Sequence, residues 1–156
     1  VALELEGGET LVERFEDLSE RFPDRLKVVQ EPSSDFAHRI VGAADLMIVP
    51  ARDVPSSPMQ MYAHRYGAVP IARRAGSIAD TVVDCDPELA TGNGFLFEEA
   101  EPEELLAAIR RGVAAWHERK AFDDLARRVM RIDHSWERSG RLYERLYREL
   151  ADAQPD

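Results

Sequence analysis

Two short turns hold the residue types that bind a phosphate anion. The first, Pro55-Ser56-Ser57-Pro58, stands directly before an expected helix over residues 59–66. The second, Arg73-Arg74-Ala75-Gly76-Ser77, follows the apolar run 69–72 and precedes a short expected helix over 78–83. A helix start collects unpaired N–H groups and roughly half a positive charge, which suits a diphosphate. In the first turn Ser57 is placed to cap the helix and Pro58 to take its first position. Simple capping accounts for the same residues. Arg73 and Arg74 fit an anion equally well as they fit pairing with nearby carboxylates, and both readings stand.

Other chemistries find less support. His38, His64, His117 and His134 are scattered, with no helical pair and no carboxylate at ligand spacing, so no metal site is expected. There is no Gly-x-Ser-x-Gly elbow and no Walker phosphate loop. Cys85 sits between Asp84 and Asp86, whose charges are expected to raise its pKa rather than activate it. No catalytic residue is assigned.

The elements that must position the two turns read as alternating strands and helices. Residues 1–5 form an expected strand. Residues 9–22 form an amphipathic helix with Leu11, Phe15, Leu18 and Phe22 at helical spacing. A strand over 26–29 leads to a helix capped by Ser34 or Asp35 and ending near Ala43. Strands over 46–49 and 69–72 flank the 59–66 helix, which Gly67 ends. Residues 84–94 are loop, and 95–97 the last strand. From Pro102 the chain turns helical, with one stripe of Leu105, Leu106, Ile109 and Val113 and a second of Phe122, Leu125, Val129 and Met130. The closing helix over 138–150 carries Leu142, Leu146 and Leu150 at every fourth position, beside Tyr143 and Tyr147. This order predicts an α/β fold with a parallel sheet flanked by helices and a helical C-terminal extension. Both turns then lie at the carboxyl ends of strands, where open α/β sheets bind ligands. The expected organisation is a 1–100 α/β core with 101–156 as helices of the same domain.

Length and composition agree with one soluble domain. The chain has 156 residues, 44% hydrophobic and 32% charged. Its net charge of −10 opposes binding to nucleic acid or to an anionic membrane surface. No apolar run reaches spanning length and no signal-peptide core is present, so membrane insertion is not expected. One cysteine excludes an internal disulfide and fits a reducing, cytoplasmic setting.

The residues from Pro50 to Val82 resemble the donor-site segment of bacterial and plant-type glycogen and starch synthases. Identities without gaps fall at Gln60, Tyr62, Arg65-Tyr66-Gly67, Pro70, Arg73-Arg74, Gly76 and Asp80-Thr81-Val82. Ala37-His38-Arg39-Ile40, Gly94-Phe95-Leu96-Phe97-Glu98, and Ser135-Trp136 followed by Tyr143 and Tyr147 also resemble family motifs. The resemblance runs from about Leu26 to Arg148, and weakly back to Val1. It implies the Rossmann-like C-terminal lobe of a two-lobed, retaining (GT-B) glycosyltransferase. The implied substrates are ADP- or UDP-glucose and an α-1,4-glucan, with no metal or other cofactor required. The implied donor-binding residues are Ser56, Ser57, Met59, Gln60, Tyr62, Arg73, Arg74, Gly76 and Ser77.

Departures from the family pattern cluster at the ligand-facing positions. The family's acidic residue falls on Val54. Its Cys-Gly-Leu falls on Ser56-Ser57-Pro58, its Gly-Gly pair on Gly76-Ser77, and its base-covering aromatic residue near Pro32. The acceptor lobe and the first strand of the donor lobe have no counterpart in these residues. The expectation is a donor domain with a degraded site that does not transfer glucose by itself, its partner being an N-terminal acceptor lobe or another chain. The alternative is a non-catalytic sugar-nucleotide or glucan-binding module derived from a synthase. In the family the C-terminal helix reaches over the acceptor lobe, so an uncovered stripe over 136–150 is expected to drive self-association.

Overall fold

The computed structural model describes residues 2–4, 9–30, 32–50 and 57–152. They form twelve elements in two compact units, Val1–Ala44 and Asp45–Asp156. In the first unit, β1 (Ala2–Glu4) pairs in parallel with β2 (Lys27–Val29), Leu3 opposite Val28. Between them runs α1 (Glu9–Arg21), and α2 (Ser34–Ala43) follows. The half-buried face of α1 carries Val12, Phe15, Leu18 and Ser19. Leu11 and Phe22, expected in that stripe, are exposed. Ser19 Oγ donates to the Leu26 carbonyl at 3.0 Å, tying the helix to the turn before β2. Ser33, rather than Ser34 or Asp35, caps α2: its Oγ accepts the Phe36 N–H at 3.3 Å. Ser33 has the extended backbone (φ −61°, ψ 151°) that a cap needs, whereas Ser34 is already the first helical residue.

The second unit holds a three-stranded parallel sheet in the order β3 (Leu46–Val49), β4 (Val69–Arg73), β5 (Phe95–Phe97). The central strand β4 is buried from Val69 to Ala72, and side-chain alternation divides the sheet into two apolar faces. Val69, Ile71, Phe95 and Phe97 pack with α5 (Pro102–His117) and α6 (Arg119–Val129), through Ala108, Ala115, Phe122, Leu125 and Val129. Ala72, Leu96 and Val49 pack on the other face with Ile78 and Val82, and with Met47 and Met59. Met47 lies on β3, Met59 opens α3 (Met59–Tyr66), and Ile78 and Val82 belong to or border α4 (Gly76–Thr81).

The stripe on α5 differs from the expected one. Leu106 and Val113 are exposed, while Ala108, Gly112 and Ala115 are buried beside partly buried Leu105 and Ile109. Close approach selects small residues here, because a Cβ on Gly112 would stand 2.9 Å from Ile71 Cδ1. On α6 the expected Phe122, Leu125 and Val129 are buried, and Met130 is exposed. The final helix, α7 (Trp136–Asp152), is longer than expected at both ends. Trp136 is 82% exposed, and Leu142, Tyr143, Leu146, Tyr147 and Leu150 are exposed as well.

The loop 84–94 has almost no secondary structure, so its carbonyls need other partners. Two arginines from the packed helices supply them. Arg128 on α6 donates to the carbonyls of Leu89 (3.0 Å), Gly92 (3.1 and 2.9 Å) and Thr91 (3.3 Å). Arg111 on α5 reaches the Asp84 carboxylate at 2.8 Å and the carbonyls of Cys85 and Leu96. Gly92 makes the tight return of this loop possible. Its φ is +83°, and a Cβ there would lie 2.5 Å from both Asp84 O and Cys85 Cα. Both contacts are backbone and cannot swing away. Gly92→Ala is therefore expected to cost about 2–4 kcal/mol of stability, measured by urea unfolding of the two proteins.

Candidate functional site

The carboxyl ends of adjacent parallel strands point the same way, so the turns after β3 and β4 share one edge of the sheet. From β3 the chain reaches α3 through the first serine turn. Of that turn, Ser57 and Pro58 are described, while Ser56 lies outside the described residues, as do Arg52, Val54 and Pro55. The N-cap of α3 falls on Pro58, without a side-chain cap, rather than on the expected Ser57, whose Oγ accepts the Met59 N–H at 3.2 Å from one residue upstream. The helix itself begins at Met59, so Pro58 sits at the boundary rather than inside the first turn. The Pro58 carbonyl accepts the N–H groups of Met61 and Tyr62, both at 3.0 Å. Gly67, in the left-handed conformation at φ 85°, closes α3 after eight residues.

Serines from the two turns meet. The Ser57 N–H donates to Ser77 Oγ at 3.1 Å, joining the start of α3 to the first turn of α4. A second link lies deeper. Gln60 is fully buried, and its Nε2 donates to Thr81 Oγ1 at 3.1 Å. The Thr81 hydroxyl in turn donates to the Ser77 carbonyl at 2.7 Å. Gln60 Oε1 is buried, with no hydrogen-bond partner among the described residues.

The remaining candidates distribute as follows. Met59 is half-buried against the α4 face of the sheet. Tyr62 is exposed on α3. Arg73 ends β4 and is half-buried. Arg74 is exposed, and its Nε lies 2.7 Å from Glu98 Oε1, so the carboxylate reading of this arginine is realised here. The pairing is solvent-exposed and leaves the guanidinium free to exchange partners at low cost. Gly76 is exposed with φ +49°.

The sequence reading did not anticipate a pair of histidines. His64, fully buried on α3, stands with Nδ1 3.0 Å from His134 Nε2 and Nε2 3.0 Å from the Asn93 carbonyl. The rings stack at 5.3 Å with an interplanar angle of 11°. A carbonyl only accepts, so His64 Nε2 carries the proton, Nδ1 accepts, and His134 donates from Nε2. Seventy positions separate the two histidines in sequence, so spacing carried no signal of their meeting. Asn93 extends the network, accepting the Val83 N–H at 2.6 Å and donating to the Thr81 carbonyl at 3.1 Å. Burial is the main cause that lowers the His64 pKa, to about 4; the Asn93 contact opposes it and the neighbouring His134 adds to it.

Burial also dominates at Cys85, which is pushed up to about 11. The flanking Asp84 and Asp86, expected to be the cause, contribute only the smallest share. Among the described residues, no three His, Cys, Asp or Glu side chains gather as a metal-binding group. No described helix is long and apolar enough to cross a membrane.

No protein-family model matches the chain. It is 43% identical over 145 residues to a glycogen synthase of Anaeromyxobacter sp. (strain K), a match covering 93% of this chain and 30% of that protein. It is 35% identical over 150 residues to a glycogen synthase of Kosmotoga olearia, covering 96% and 32% respectively. The chain thus spans about a third of these curated relatives, in their C-terminal part. Among solved structures it resembles the catalytic domain of starch synthase IV from Arabidopsis thaliana bound to ADP and acarbose. That similarity has a TM-score of 0.77 and 31% identity, over 88% of this chain and 29% of that one. The α/β architecture with its parallel three-stranded sheet is that of the C-terminal lobe of the starch synthase, a GT-B fold.

The buried histidine has a consequence in acid. A folded-state pKa below 6.5 means that the folded protein binds fewer protons than the unfolded chain, so stability falls as pH drops from 6.5 towards 4. The loss by pH 4 is about 3 kcal/mol. Thermal unfolding between pH 7 and 4 is expected to show this decline, and His64→Leu to flatten it.

Proposed function

Taking this chain as a homologue of the C-terminal part of glycogen and starch synthases, we propose that it is a sugar-nucleotide-binding lobe of such a glycosyltransferase. It holds ADP- or UDP-glucose with the diphosphate at the start of α3 and the turn before α4. The donor set is Ser56, Ser57, Met59, Gln60, Tyr62, Arg73, Arg74, Gly76 and Ser77. The observation that carries this reading is the meeting of the two serine turns at one sheet edge, Ser57 N–H to Ser77 Oγ at 3.1 Å. Adenosine diphosphate bound to the starch synthase relative supports the same ligand class.

The chemistry asked of this lobe is modest. In glucosyl transfer to an α-1,4-glucan the bond from the sugar's anomeric carbon to the diphosphate breaks, and the nucleoside diphosphate leaves. Helix-start dipoles and arginine charge stabilise that departing anion without a metal. The glucan is held by an acceptor lobe, in a longer chain or a partner chain, so these 156 residues alone transfer nothing.

Val54 favours a second reading, a non-catalytic sugar-nucleotide or glucan-binding module. The resemblance calls for a carboxylate at that position, and valine does neither acid–base nor hydrogen-bonding work.

Calorimetric titration of ADP-glucose, ADP and UDP, with maltoheptaose as a separate titrant, tests these readings. Saturable binding selective for adenine or uridine is expected. No heat from any nucleotide at millimolar concentration overturns the donor-lobe reading, and a signal from maltoheptaose alone makes the chain a glucan-binding module. The uncovered face of α7, from Trp136 to Leu150, leads us to expect self-association of the isolated chain at micromolar concentration. Sedimentation velocity giving a clean monomer would count against that.

A further inference from the structure

Very little holds α7 to the rest of its unit. None of its 17 residues is buried, and no described strand or helix packs along it. Its side-chain contacts stay local. Arg138 Nη1 donates to the Asp133 carbonyl at 3.1 Å, Arg141 lies 3.8 Å from the Asp133 carboxylate, and Arg148 pairs with Glu144. These contacts fix the helix to the segment just before it and reach no further. That segment is anchored at two points: Ile132 packs against the apolar core, and His134 meets buried His64 at 3.0 Å. His134 is the outer anchor, two residues before α7 begins.

The hydrogen bond at this outer anchor tolerates one proton and not two. His134 donates from Nε2, so its Nδ1 can take a proton with the bond intact. His64 Nδ1 is the acceptor, and a proton there turns two N–H groups towards each other at 3.0 Å, between stacked rings that both carry charge. Burial already holds His64 well below its ordinary value, at about 4, and lowers His134 as well. Charges around the pair do little to offset this. At His134, Arg138 opposes a proton and Asp133 favours one. On the elements packed about His64, β3 has no charged residue and β4 ends in Arg73. Arg65 of α3 and Asp80 of α4 are exposed, and Arg128 of α6 is engaged by the carbonyls of Leu89 and Gly92. Among the described residues, His134 is the one group whose charge acts on His64.

We propose that the His64–His134 hydrogen bond is the clip that fixes α7 to the second unit, and that acid opens it by protonating both rings, freeing α7 while the unit stays folded. Opening parts the rings and returns them towards the ordinary imidazole range. Between the closed value of about 4 and the ordinary 6.5, the open form therefore binds more protons, and opening is favoured as pH falls through that window. The opening equilibrium is expected to rise about 10- to 50-fold from pH 7 to pH 4.5. The proposal does not depend on the donor-lobe reading.

The test measures a distance from α7 to the body of the unit. Spin labels go on Gly140→Cys, where a side chain meets nothing within 4 Å, and on Glu103→Cys, exposed on α5; native Cys85 is buried. Pulsed electron resonance is recorded at pH 7 and pH 4.5, with excess unlabelled protein to remove distances between copies. One narrow distance is expected at pH 7. A second, broader population is expected at pH 4.5, with far-ultraviolet circular dichroism unchanged. In the double variant His64→Leu, His134→Phe, which replaces the titrating pair by an apolar one, a single narrow distance is expected at both pH values. An identical distribution at the two pH values in the wild-type chain overturns the proposal. So does an acid shift of the same size in the double variant, or loss of circular dichroism together with the distance change. If the double variant does not fold, the imidazole C2–H resonances of the wild-type chain decide. The distance change is expected to follow the lower of their two inflections, and a change that follows neither overturns the clip.

Discussion

The burial of β4 on both faces is the constraint from which the rest of the second unit follows. Val69 and Ile71 point into one core and Ala72 into the other, so helices must cover both sides of the sheet. Parallel neighbours cannot be joined by a tight turn, and each strand must be followed by a crossover before the next one starts. That requirement puts α3 between β3 and β4, and α4 with its loop between β4 and β5. It also carries the chain back to the same sheet edge each time. Ser57 and Ser77, twenty positions apart, meet for that reason.

Polar groups then lock the connections that apolar packing leaves loose. The 84–94 loop has few backbone partners of its own, and Arg111 and Arg128 supply donors from the helices packed on the sheet. Charged donors make the stronger class of hydrogen bond, so a few side chains suffice. His64 and Asn93 perform the corresponding task between α3, the end of α4 and the segment before α7. Because the imidazole is buried and neutral, that joint is tied to pH in a way that a purely apolar contact would not be.

Polar contacts join α3 to α4 at the candidate site. Gln60 and Thr81 hold α3 against α4. The half-buried serines Ser57 and Ser77 face each other, and their hydroxyls accept the Ser57 and Met59 N–H groups. Arg74, meanwhile, shares its charge with Glu98. The uncovered stripe on α7 belongs to the same picture: it is apolar surface that these residues alone do not bury.

Much of this was legible in the residues themselves. The apolar runs at 46–49, 69–72 and 95–97, the breakers Gly67 and Pro102, and the leucines at every fourth position after Arg138 placed the strands of the second unit and most of its helices to within a few positions, but not the break between α5 and α6 at Glu118. Local sequence determines such elements because periodicity and capping act over one or two turns of chain. The family motifs from Gln60 to Val82 are legible for the same reason, being one continuous stretch. What tertiary structure alone decided lay between distant residues. Ala108 and Gly112, not Leu106 and Val113, line the α5 contact, because helix–sheet distance rather than hydrophobicity selects them. Cys85 owes its raised pKa mainly to burial, not to the aspartates beside it in sequence. His64 found His134, Arg128 found the 84–94 loop, and Ser57 found Ser77 only once the strands were side by side, because hydrogen bonding depends on distance in space and sequence spacing does not encode it.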